Sequence, residues 1–290
     1  MKVVDEETFS PDDGLCIGCL NVAARYGSPR LATDVFRVLA NRKVDYEEHH
    51  FAALLETYVT ADQLDIAFSI LQLMRSAGVP PKPQTARSIV SKITEKEDVN
   101  DVVAAYNTLI SARKAKKQVD VAAINAVMAG FVRLGAVKAA FGVYKDIPDF
   151  NTKPDVTTFN TLLKGGANQG RKQFSMWVAA EMSAMGMRPD RETYEHLFMV
   201  CVVQENFDDA FEYLEEMKAM TFKPAAKIYK ALGQRCRETA DLRFEAVVTE
   251  MEGCGYAIDD LVMVGVKDGK GYDEGKQNQE RRPWEDKIVA

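Results

Sequence analysis

The chain has 290 residues, 47% of them hydrophobic and 28% charged. That is enough apolar mass for one large core or two small ones, and it excludes a disordered polypeptide. The formal net charge is −6, opposite to the basic balance usual in nucleic-acid binders.

The first residues, MKVVDEETFSPDDG, are acidic and lack an apolar h-region. They are neither a secretory signal nor an Arg-rich transit peptide, so the chain is read as cytoplasmic or as lacking a targeting segment of a longer product. Five scattered cysteines (Cys16, Cys19, Cys201, Cys236, Cys254) fit a reducing compartment. The longest apolar stretch, 121–144, is broken by Arg133 and Lys138 and reads as two core helix segments, so no membrane span is expected.

A repeat organises almost everything between these ends. NTKPDVTTFNTLL, from Asn151, is echoed 35 residues later by GMRPDRETYEHLF. Small residues recur at Ala32, Ala67, Ala105, Ala140, Ser175 and Ala210. Sixteen residues before each of these, and once more beyond them, stand Cys16, Phe51, Ile89, Ile124, Phe159, Tyr194 and Tyr229. Three further on come Cys19, Leu54, Lys92, Val127, Leu162, Leu197 and Leu232, with Lys92 the one misfit. Leu39, Met74, Ala112, Ile147, Met182, Met217 and Met251 close the units. One register fits all four columns and gives seven units: 13–47, 48–85, 86–120, 121–155, 156–190, 191–225 and 226–259. Residues 1–12 are then an N-terminal extension and 260–290 a polar, solvated C-terminal tail. The second unit holds three extra residues, placed by this register in GVPPKPQT.

Each unit contains two amphipathic stretches of about three turns. Gly or Asn followed by Pro stops the second stretch, as in GMRPD and NTKPD, and Asp155 and Asp190 stand where the next helix needs an N-cap. A single helix pair cannot bury its apolar face alone, so neighbours must stack. The expected fold is all-α: a right-handed α-solenoid of about seven helix-turn-helix repeats.

The 35-residue period, the Pro-Asp closings and the opening VTTFNTLL resemble the pentatricopeptide repeat family, and VTTFN…EMSAMGMRPD resembles its pattern throughout. The likeness covers 13–259, and the style of the units is similar to fungal mitochondrial members. The resemblance implies a mitochondrial location and a single-stranded RNA partner, one base per repeat. It also implies that the fifth residue of each first helix and the last residue of the unit read that base. In this chain those pairs are Ile17 with Glu47, Ala52 with Gln84, Val90 with Asp120, Asn125 with Asp155, Asn160 with Asp190, Glu195 with Ala225, and Lys230 with Asp259. Only the two Asn/Asp pairs match a readable combination, one that implies uridine. An Asn amide both donates and accepts, which suits a pyrimidine edge.

The second residue of each unit, a branched apolar wedge in the family, is here Gly14, His49, Arg87, Ala122, Thr157, Glu192 and Lys227. Glu192 and Glu195 would place two carboxylates in the groove and repel phosphate. Arg133, Lys164, Lys227 and Lys230 are the cations expected to contact it. The expected RNA site is therefore Asn125, Asp155, Asn160, Asp190 and Thr157 with these four cations, taking a short, uridine-leaning strand. The bland reading of the same residues stands beside it: Asp155 and Asp190 as helix caps, Asn125 and Asn160 as first-turn polar residues.

Other motifs resolve into the repeat. LCIGC places Cys16 and Cys19 in core columns, so no metal or redox site is expected there. In EEHH, 47–50, consecutive helical residues diverge and cannot share one ion. GVKDGKGYDEG follows no strand and is no phosphate loop, and Trp284 in the tail is a candidate docking residue. Arg113, Lys114, Lys116 and Lys117 read as a solvated helix end favoured by the dipole. No catalytic constellation, cofactor site or small-molecule substrate is expected. Two functions follow. One is a non-catalytic RNA-binding factor in organellar transcript processing, stability or translation. The other is a scaffold holding a protein partner in the concave groove, such as a subunit or assembly factor of a mitochondrial complex like the mitoribosome.

Overall fold

The computed structural model describes residues 11–42 and 44–257. The N-terminal ten residues and the expected tail with Trp284 lie outside them. The described residues form fourteen α-helices and one short 3-10 helix, with no strand. The chain divides into two compact units at Thr157/Thr158.

In the first unit the helices are α1 (Asp13–Tyr26), α2 (Pro29–Asn41), α3 (Glu48–Thr60), α4 (Leu64–Ser76), α5 (Arg87–Ile93), α6 (Val99–Lys114), α7 (Val121–Arg133) and α8 (Val137–Lys145). The 3-10 helix Ile147–Phe150 follows α8. Pro148 lacks an amide hydrogen and its ring crowds the carbonyl four residues back, which ends α8 early. The second unit takes in most of α9 (Val156–Asn168), then α10 (Lys172–Ala184), α11 (Arg191–Val203), α12 (Phe207–Ala219), α13 (Ala226–Glu238) and α14 (Phe244–Gly253). Consecutive helices pair as hairpins, and the first helices of successive hairpins pack together: α1 on α3, α3 on α5 and α5 on α7 in one unit, α11 on α13 in the other. This is the helix-turn-helix stacking of an α-solenoid.

The repeat columns form the core. Ala32, Ala67, Ala105, Ala140, Ser175 and Ala210 are all buried, because the two helices of a hairpin approach most closely there. Around Ser175 the approach is close. A β-carbon at Gly166 on α9 would lie 2.2 Å from the Ser175 hydroxyl oxygen on α10, so a larger residue would have to displace that hydroxyl. Cys16, Phe51, Ile89, Ile124, Phe159 and Tyr229 are buried, with Tyr194 half-buried against the same core.

A second periodicity lies in the backbone. Left-handed residues, with φ between 53° and 79°, stand at 27, 62, 97, 135, 170, 205 and 240, where each hairpin turns. Another series at 78, 116, 151, 186, 221 and 255 ends the second helices. These series relocate the three extra residues. Hairpin turns 62 and 97 are 35 apart, as are the starts of α4 and α6 at 64 and 99. The helices α4, α10 and α12 each have 13 residues, whereas α6 has 16. The insertion is therefore an extra turn at the end of α6, not the GVPPKPQT segment. The third repeat begins near Pro83, whose first turn stays irregular so that α5 has only 7 residues. Thr85 accepts from the Lys82 amide in a capping-box geometry just before it, at 3.2 Å. The new register puts buried Ile89 in the column where Lys92 was the misfit. Lys92 faces outward, 3.6 Å from Asp62 and 3.4 Å from Glu95.

Candidate nucleic-acid interface

The first helix of each repeat starts after a turn, so its fifth residue is one turn in and near the residue that begins the next repeat's first helix. In the first unit, Asn125 on α7 donates through its side-chain nitrogen to Asp155 at 2.9 Å. In the second unit, Asn160 on α9 does the same to Asp190 at 3.0 Å. Both asparagines are only 4% exposed. The bond recurs at equivalent repeat positions in the two units.

Asp190 is also the N-cap of α11. Its Oδ1 accepts from the Thr193 amide at 2.9 Å, and the Thr193 hydroxyl lies 3.1 Å from the Asp190 amide as acceptor, a reciprocal capping box. That hydroxyl has one hydrogen, and it lies 2.7 Å from the Asn160 carbonyl oxygen and 2.9 Å from Asp190 Oδ1. Cap and candidate reader are thus one assembly: the cap fixes the carboxylate, and the carboxylate with Thr193 fixes the amide. Thr193 was not singled out from sequence, although the spacing Asp190-x-x-Thr193 carries the signal.

Asp120 departs from this scheme. It caps α7 through the Ala122 amide at 2.8 Å, and it is held by the guanidinium of Arg75, whose Nε and Nη2 both donate to it. The Asp120 carboxylate raises the Arg75 pKa above its ordinary value, and Asp155 adds to the effect. No sequence signal links residues 45 positions apart in different helices. The register shift also replaces two predicted partners. Exposed Arg87, not Val90, is the fifth residue of the third repeat, and Lys82, not Gln84, is the last of the second. Lys82 pairs with Glu48.

The expected pair of repelling carboxylates is reduced to one. Glu195, 4% exposed, lies 2.5 Å from the Lys227 ammonium and 3.4 Å from Arg191 Nε. Lys227 thus pairs with Glu195 while its side chain stays 70% exposed. Glu192 is exposed, and His196 beside it at 3.5 Å holds its pKa below the ordinary value, with a smaller contribution from Lys164. Arg133 ends α7 and Lys164 stands on α9, both exposed, whereas Thr157 and Lys230 are half-buried.

The other motifs behave as packing. Cys16 is buried and burial raises its thiol pKa, and Cys19 is half-buried. His50 closes the capping box at the start of α3. Among the described residues no group of three or more His, Cys, Asp and Glu is placed to hold a metal ion, and no helix is long and apolar enough to cross a membrane.

Comparison with known proteins adds two kinds of match. Residues 13–147 match a family model described as pentatricopeptide repeat-containing protein, and residues 142–191 and 177–236 match one described as pentatricopeptide repeat domain. No curated protein matches significantly. Among solved structures, the pentatricopeptide repeat protein PPR10 in complex with an 18-nt psaJ RNA element is similar at 20% identity and a TM-score of 0.50, over 86% of this chain and 41% of that one. PPR10 from maize aligns over 89% of this chain and 41% of that one, at 20% identity and a TM-score of 0.49. Nuclear proteinaceous RNase P 2 from A. thaliana aligns over 77% and 42%, at 14% identity and a TM-score of 0.38. The chain therefore spans about two-fifths of the PPR10 chain it matches. At such identities the likeness to PPR10 is one of fold.

Proposed function

Since the chain belongs to the pentatricopeptide repeat family, we propose that it is a non-catalytic factor that binds a short single-stranded RNA, with a preference for uridine at two repeats. The observation that carries this reading is the Asn–Asp bond repeated at 2.9 Å and 3.0 Å. A carboxylate only accepts hydrogen bonds, while a carboxamide both donates and accepts. The N3 of uracil carries a hydrogen, and the N3 of cytosine carries a lone pair. A fixed Asn/Asp couple therefore suits uracil. The RNA complex of PPR10 supports the same class of partner.

The test separates reading from capping. Asp155→Asn with Asp190→Asn keeps a good N-cap residue at both positions, but supplies a donor where only acceptors stood. The measurement is fluorescence anisotropy with oligo-U, oligo-C, oligo-A and oligo-G. The wild-type chain is expected to bind oligo-U most tightly. The double variant should shift toward oligo-C by roughly tenfold, the scale of about 1.4 kcal/mol for discrimination by one or two hydrogen bonds. Wild-type binding without base preference, or a variant that keeps the oligo-U preference, refutes the base-reading role.

The proposed place of action is the mitochondrion, in transcript processing, stability or translation. Fractionation of the tagged gene product tests the location. A second reading, a protein scaffold, is supported by a distinct observation. Met176, Trp177 and Met185 are 46%, 41% and 47% exposed on and just after α10. If no oligonucleotide binds at micromolar protein, this reading takes precedence.

A further inference from the structure

The extra turn of α6 has a consequence at its surface. Because that helix runs one turn further than α4, α10 and α12, it carries Arg113 and Lys114, and the turn with Lys116 and Lys117 that follows it, past the point where those second helices stop. There it walls a cleft of about 630 Å³, lined among others by Gln72, Arg75, Arg113, Lys116, Lys117 and Gln118. Two of the four cations in the cleft are matched. Arg113 donates to Asp149 at 2.8 Å and lies over the Phe150 ring, 5.1 Å from its centroid, and Arg75 holds Asp120. Lys116 and Lys117 are exposed and make no ion pair among the described residues. A lone lysine at a helix end needs no explanation beyond the dipole. Two unmatched ammonium groups converging on a concave, amide-lined cleft, with the nearby carboxylates already taken, offer a site for an anion with several oxygen acceptors.

The position of the cleft narrows the ligand. Arg75 forms part of the cleft wall, holds Asp120 and lies within electrostatic reach of Asp155, the partner of Asn125. Asp120, which also lines the cleft, holds in its repeat the place that Asp155 holds in the next, so within the first unit the cleft reaches one position of the proposed base-reading series. We infer that the cleft is a phosphate site, in which Lys116 and Lys117 take phosphodiester oxygens of the same RNA strand. This rests on the RNA-binding function proposed above. Lysines act here as point charges, so the contact adds affinity and register without base preference.

The experiment compares the wild-type chain with Lys116→Gln/Lys117→Gln, a change at two exposed side chains. Two probes are used: oligo-U in a salt titration, and inorganic tripolyphosphate in a thermal-shift assay. With about 0.7 of salt slope per neutralised phosphate of a single strand, the variant should lose roughly 1.4 from the slope of log K against log salt. Its preference for U over C should be unchanged, and the stabilisation of the wild type by tripolyphosphate should disappear. A variant that keeps both the slope and the tripolyphosphate shift overturns the phosphate site while leaving base reading intact. Stabilisation by tripolyphosphate through these lysines in a protein that binds no oligonucleotide supports the phosphate site with a free oligophosphate as its source, and sinks the RNA function instead. A wild type that responds to neither probe sinks both.

Discussion

His50 is 3% exposed at the third position of α3, where its Nδ1 accepts from the Glu47 amide at 3.0 Å and its Nε2 has no partner among the described residues. The proton of the neutral ring therefore sits on Nε2. Burial, and secondarily the neighbouring His49, lower its pKa from the ordinary 6.5, against smaller opposing contributions from Glu47 and Asp13. The sign follows from linkage: below pH 6.5 the unfolded chain binds a proton that the folded chain resists, so stability falls as the pH falls. Between pH 7 and pH 5 the thermal midpoint should drop. In His50→Gln, which keeps the capping-box chemistry with a side chain that does not titrate, the drop should be smaller. Equal slopes for the two proteins would remove His50 as the cause. At this scale the sequence shows the chemistry of a residue but not its partners. Asn125, Asp155, Asn160 and Asp190 were legible because a fixed period carries them. Arg75 was not, because its bond to Asp120 spans 45 positions between two helices.

The helices show the same division between what local chemistry announces and what packing decides. The 35-residue period, the helix pairs and the Pro-Asp stops follow from spacing and turn chemistry, so the α-solenoid was legible as a fold class. The site of the three-residue insertion was not. GVPPKPQT looks like a lengthened loop, while nothing in the composition of SARKAK marks an extra helical turn. The left-handed turn series resolves the matter, yet only some of its members announce themselves. Gly27, Gly135 and Gly170 suit a positive φ, while Glu97, Glu205 and Ala240 hold the same conformation at a cost. A β-carbon in that region costs about 1–2 kcal/mol, more than the added chain entropy of glycine. Ala240→Gly should therefore stabilise the α13–α14 hairpin by about 1 kcal/mol in denaturant unfolding. A destabilised variant would mean that Ala240 does not hold a left-handed conformation in solution.

At the scale of the molecule, the formal charge of −6 sets a field that opposes a polyanion. The proposed affinity for RNA must then come from local cations and from fixed hydrogen bonds, which is why the proposed tests depend on two lysines and two aspartates. Stability is local as well. In the second unit one buried cluster, including Phe198, Leu214, Met217, Tyr229 and Met251, is drawn wholly from α11 to α14. In the first, the strongest helix contacts are within hairpins or between hairpins adjacent in sequence. Repeat arrays built this way add up nearest-neighbour terms instead of sharing one core. Met217→Ala removes a fully buried side chain from the α11–α14 cluster, at a cost of about 2–4 kcal/mol. If the nearest-neighbour account holds, native-state hydrogen exchange in this variant should speed up by roughly 30- to 1000-fold in α11–α14, as that loss of local free energy requires. The amides of α3, α4 and α7 should keep their wild-type rates. Equal acceleration in all of these helices would show that the chain opens as one cooperative body, and the account of its stability as a sum of neighbouring hairpins would be wrong.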